Sequence, residues 1–127
     1  MELIIYSKTR PYLPVIDDFM DAYYGRQMKH LASDLLNKGF TPQQISDAIN
    51  CAIKVANTAG LSTQAHFKPV CSSLNHEVIQ DCKLSSLGYG LVLLNADPRH
   101  EAVGDFQISL LRRFLNSRDL DLIIGNQ

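Results

Sequence analysis

The stretch Leu84-Ser85-Ser86-Leu87-Gly88-Tyr89-Gly90-Leu91-Val92-Leu93-Leu94-Asn95-Ala96-Asp97-Pro98 holds two helix boundaries close together. A serine at Ser85 or Ser86 supplies a side-chain acceptor that opens a helix, and the apolar run carries it to about Leu94. Asn95 and Ala96 close it. Asp97 is a capping residue, and Pro98 suits the first helical position, where its missing N–H is not needed. A second helix is therefore expected from Pro98, and the whole reads as a helix–helix corner. Gly88 and Gly90 lie inside the helical pattern without the Gly-Lys-Ser/Thr of a phosphate loop, so they read as points of close backbone approach.

Downstream, Val103, Phe106, Leu110 and Phe114 fall on one face of a long final helix. The tail Asp119–Ile124 alternates as a half-buried strand does. Upstream, Glu77 to Lys83 reads as a strand with Val78, Gln80, Cys82 and Leu84 on one face. Before it come a polar turn at Ser62–Gln64, then His66-Phe67 and Pro69. Thr41-Pro42-Gln43-Gln44 is a capping box with proline at the first helical position. The helix it opens runs through Ile45, Ala48, Ile49, Ala52, Ile53 and Ala56 to a stop at Gly60, and its alanines allow a neighbouring helix close. From Val15 to Leu36 apolar residues recur at helical spacing, as two helices broken at Gly25 or one weakened there, with Gly39 as a left-handed cap. Leu3–Tyr6 reads as a short strand ahead of a turn containing Pro11 and Pro14.

These elements predict a mostly helical α+β domain, with a small sheet built from short terminal and central strands. The chain of 127 residues suits one domain spanning 1–127, and 46% hydrophobic residues suffice for a core. No apolar run reaches the roughly 18–20 residues of a membrane span, and the N-terminus lacks the marks of a signal peptide. Cys51, Cys71 and Cys82 form no CxxC pair and fit neither a disulfide framework nor a zinc site. The expectation is a cytoplasmic protein with free thiols.

No reading of the titratable residues yields an enzyme. His30, His66, His76 and His100 contain no pair at i, i+4 and no HExxH, so no metal and no cofactor is expected. His66, Cys71 and Asp81 contain the residue types of a thiol nucleophile and base, but in no established spacing. Asp17, Asp18 and Asp21 complement a helix N-terminus.

At the corner the sequence resembles a known family. The Leu84-Ser85 start, Tyr89, Leu91-Val92 and Asn95-Ala96-Asp97-Pro98 resemble the LS-start helix ending in N-[GA]-D-P of DNA-damage-inducible protein D (DinD) and the BRO-N domains of phage antirepressors. Ala52 to Gly60 followed by His66-Phe67, Asp81 ahead of Leu84-Ser85, and Arg99, Glu101, Val103 and Gln107 extend the likeness over about residues 31–113. The connection from His66 to Leu84 looks shorter than the family's, which often carries a longer glycine-containing hairpin. Gly88 and Gly90 replace larger residues, and relatives commonly add a C-terminal region that this chain is expected to act without.

The resemblance implies a non-enzymatic regulator of the prophage or DNA-damage response that binds a repressor or repair protein. The alternative is a small DNA-binding transcriptional regulator. Net charge is −1, from 12 basic and 13 acidic residues, without the basic excess of a domain held mainly by phosphates. The candidate binding residues, for partner or DNA, are Arg99, His100, Arg112, Arg113 and Arg118, which flank the final helix. Glu101 and Asp105 share the polar face with Arg112, and this favours a protein partner. Tyr23, Tyr24 and the final strand are candidates for self-association, so a homo-oligomer is expected.

Overall fold

The computed structural model describes residues 2–3 and 14–117. Strand β1 (Glu2–Leu3) precedes helix α1 (Pro14–Gln27), strand β2 (His30–Leu31) and a 3-10 helix at Ala32–Lys38. Helix α2 (Pro42–Thr58) and a short 3-10 turn at Thr63–Ala65 lead to a hairpin of β3 (Phe67–Leu74) and β4 (Glu77–Leu84). Helices α3 (Ser86–Leu94) and α4 (Glu101–Asn116) follow. The architecture is α+β and mostly helical. The antiparallel sheet has the order β1-β3-β4-β2.

The capping box at Thr41–Gln44 and the glycine stops at Gly39 and Gly60 form as the sequence predicts. Thr41 Oγ1 accepts from the Gln44 N–H at 3.1 Å while Gln44 Oε1 accepts from the Thr41 N–H at 2.9 Å. Gly39 and Gly60 are left-handed, at φ 95° and 77°. At each, the glycine and the residue after it donate back into the preceding turn, Phe40 to Leu35 and Leu61 to Ala56. Along α2, Ala48, Ala52 and Ala56 form a buried ridge against α3, and Leu35, Leu84, Val92 and Val103 are fully buried around it.

Four expectations need correction. The pattern from Val15 to Leu36 is not a helix broken or weakened at Gly25: α1 runs through Gly25 and ends at Gln27, and the chain then enters the sheet. His30 pairs with Leu84 and Leu31 with Lys83, so backbone pairing overrides the helical spacing there. The final helix begins at Glu101, not Pro98. Asp97 Oδ1 instead accepts from the Arg99 N–H at 2.9 Å, and the His100 N–H donates to the Asp97 carbonyl at 3.1 Å. Pro98 thus occupies the second position of a β-turn, its other preferred place. Leu110 is 44% exposed rather than buried, because α4 outruns the body it packs on. Val78 is 76% exposed, and only the Leu84 end of its face is buried.

Strand β3 was not expected, since Pro69 interrupts the pattern. Pro69 faces Cys82 within the hairpin, and on the other side the described residues of β1 pair with Val70 and Cys71. The hairpin turns on Asn75 and His76, both left-handed at φ 52° and 69°, the geometry of a two-residue type I′ loop. Of the strand expected at Leu3–Tyr6, only Leu3 is among the described residues. The strand expected at Asp119–Ile124 lies outside them.

Candidate protein-docking groove

The residues that carry the family likeness are joined to one another. Phe67 and Leu84 are partners at the base of the hairpin. Beside them His66 Nδ1 lies 2.6 Å from Ser85 Oγ, the Ser85 N–H donates to the His66 carbonyl at 3.1 Å, and Ser85 Oγ accepts from the Gly88 N–H at 2.9 Å. Gly88 is needed for this joint: a Cβ there would lie 2.5 Å from the His66 carbonyl oxygen. The second joint is the corner itself. Asn95 Nδ2 donates to the Leu91 carbonyl at 2.8 Å, Ala96 is buried, and Asp97 Oδ2 accepts from Gln44 Nε2 at 3.3 Å. Both motifs therefore work as structural fasteners.

The five candidate binding residues are not brought together. Arg99 closes on Asp97 through an ion pair of 2.7 Å, and its hydrogen bonds hold the Asp97 carboxyl well below the usual carboxylate range. His100 is a joint of the fold. Its ring stacks on Phe40 with centroids 4.0 Å apart, Nε2 lies 2.8 Å from the Lys38 carbonyl, and Nδ1 accepts from the Ala102 N–H at the start of α4. Only the neutral ring with its proton on Nε2 satisfies both bonds. Arg112 and Arg113 are exposed on α4, about 18 Å further along at 1.5 Å per residue. Arg118 lies outside the described residues.

His66, Cys71 and Asp81 are not assembled as a thiol nucleophile and base. His66 sits at the base of the hairpin, about 16 Å of extended strand from Cys71. Asp81 pairs with Val70, and its Oδ1 accepts the N–H groups of Ser33 and Cys82, which fastens the first 3-10 helix to β4. Burial pushes the Cys82 thiol up to about 11, helped by the Asp81 charge and opposed by a backbone hydrogen bond at Lys68, so it is no thiolate near neutral pH. Among the described residues no group of three His, Cys, Asp or Glu side chains is placed to hold a metal. No described helix is long and apolar enough to cross a membrane.

What sequence reasoning missed is a groove of about 390 Å³ between the first 3-10 helix, α2 and β4. Leu36, Ile45, Ile49, Ile79 and Cys82 supply its apolar walls, and Ser46, Asn50 and Gln80 supply polar points. Strand β2 covers β4 only at Lys83 and Leu84, so among the described residues the outer edge of β4 from Glu77 to Gln80 has no strand neighbour. An apolar trough beside an open strand edge is the geometry that takes an extended peptide: the edge offers backbone hydrogen bonds and the trough takes alternate side chains. The clue in the sequence was Ile45 and Ile49, one turn apart and beside the buried alanine ridge. Compared with family models, with curated proteins and with solved structures, the chain finds no match.

Proposed function

We propose that this chain is a non-enzymatic regulatory domain that acts by stoichiometric capture of a protein, in the manner of the antirepressors its Leu84–Pro98 corner resembles. The observation that carries the reading is the groove at the open edge of β4. Its occupant is an extended segment of a repressor or repair protein, paired with Glu77–Gln80 and burying an apolar side chain against Ile45, Ile49 and Ile79. Capture shifts the partner between its free and DNA-bound populations by its differential affinity for the two. The setting is the cytoplasm, and neither metal nor cofactor takes part.

The charge distribution supports protein over DNA. Arg99 is engaged by Asp97, and the exposed Arg112 shares its face with Glu101 and Asp105. The test is paired. Fluorescence polarisation against duplex DNA over a salt series should show no tight, steeply salt-dependent binding. Purified repressors of the damage response should be retained by the wild-type chain and released by Ile79→Arg, which fills the groove. Sub-micromolar DNA binding with a steep salt slope would establish the DNA-binding reading instead, and equal retention by Ile79→Arg would remove the groove from it.

A further inference from the structure

We infer that the outer stripe of α4 is a self-pairing seam that joins two copies of this chain as an antiparallel helix pair. The inference is independent of the groove, with which it shares no residue.

Gly104, Ile108, Leu111 and Leu115 recur along α4 at steps of four, three and four residues, the spacing by which one helix presents a continuous seam to another. The seam does not face the body of the protein. Ile108, Leu111 and Leu115 are 51%, 50% and 45% exposed, and a Cβ built on Gly104 would meet nothing within 4 Å. Val103 is the buried contact of this helix, on a different face from the seam. A helix that needed only to cover the core would carry polar residues where these leucines and isoleucine stand.

The charges identify the occupant as a second copy and set its direction. Asp105 and Arg112 flank the seam on the same side, two turns apart, and neither forms an ion pair among the described residues. In an antiparallel pair with Ile108 of each copy opposite Leu111 of the other, Asp105 of each copy falls beside Arg112 of the other. The two-fold axis then repeats the ion pair. The same register places Gly104 opposite Leu115, so the largest gap on one helix receives a large side chain from the other. A parallel pair would stack Gly104 on Gly104 and leave Asp105 and Arg112 without opposite charges. Both the apolar and the charged features are thus self-complementary in one orientation only.

Sedimentation equilibrium of the full chain tests the seam. The wild type is expected to pass from monomer to dimer across the micromolar range. Leu111→Glu, Asp105→Arg and Arg112→Asp should each weaken the dimer by about tenfold or more, the scale of about 1.4 kcal/mol. All three positions are exposed, so circular dichroism and thermal melting of the monomers should match the wild type. The decisive sample is an equimolar mixture of Asp105→Arg and Arg112→Asp. Each variant repels itself, but one copy of each restores both ion pairs, so a heterodimer should form. A wild type that stays monomeric, because the chain beyond Ser117 or nothing at all covers the stripe, overturns the seam. So do charge variants that dimerise like the wild type, or a mixture that fails to pair.

Discussion

Gly88 and Gly90 stand one residue apart in α3 and respond to opposite demands. A methyl group at Gly88 meets the His66 carbonyl at 2.5 Å, whereas at Gly90 its nearest neighbour is Phe106 Cζ at 3.9 Å, an ordinary contact. Gly88→Ala must therefore move backbone at the base of the hairpin and is expected to cost about 1–3 kcal/mol in chemical denaturation. Gly90→Ala should stabilise by up to about 1 kcal/mol, since it only removes helix-interior glycine. The sequence marks both as points of close approach, yet only the fold reveals which one has a neighbour. Cys82 gives a second residue-level test. Its thiol ionises near the ordinary 9.0 when unfolded but only at about 11 when folded. Between those values the native state holds the extra proton, so stability should fall as pH rises from about 9 to about 11, by up to about 1.4 kcal/mol per unit. Urea melts across that range should show the slope, and Cys82→Ala should flatten it.

At the level of elements, what the sequence shows clearly is whatever one or two residues decide locally. The Thr41–Gln44 box, the left-handed Gly39 and Gly60 and the Ser85 cap need only their own turn, and each forms as its residues dictate. The errors lie where a distant element decides. His30 and Leu31 leave the helical pattern because Leu84 and Lys83 pair with them, and β3 forms through Pro69 because β4 pairs with it from Phe67 to Leu74. The start of α4 is the clearest case. Asp97 and Pro98 satisfy a helix start on paper, but Gln44 and Arg99 claim the Asp97 carboxylate, and His100 takes over the cap. His100 also stacks on Phe40 and reaches the Lys38 carbonyl, so it ties α4 to the end of the first 3-10 helix. His100→Ala should therefore cost about 2 kcal/mol, the upper end for an N-cap alone. His100→Asn, which keeps a capping oxygen but loses the stack, should recover part of it. Equal midpoints for the two variants in thermal melts would show that the cap contributes nothing and that the stack and the Lys38 contact carry the whole effect.

For the whole molecule, the groove and the α4 seam lie on different elements with different chemistry. The groove is preformed between α2, the first 3-10 helix and β4, and its walls were hidden from sequence reasoning because they come from segments far apart in the chain. The α4 seam was not legible: the sequence reading gave the final helix one apolar face of Val103, Phe106, Leu110 and Phe114, and only the exposure of Ile108, Leu111 and Leu115 shows a second apolar stripe facing outwards. The surfaces are separable, since Ile79 stands outside the buried core cluster and Leu111 is half exposed. Ile79→Arg should abolish partner capture while leaving the monomer–dimer equilibrium unchanged. Leu111→Glu should yield a monomer that still captures its partner, but on a surface coated with partner it should dissociate markedly faster. A dimer presents two grooves, and rebinding through the second slows its escape. Biosensor traces for the two variants and the wild type, taken at low and high surface density, measure this directly. Density-dependent dissociation for the wild type alone is the expected pattern. Identical traces for wild type and Leu111→Glu at every density would mean that the seam, if it pairs at all, contributes nothing to capture.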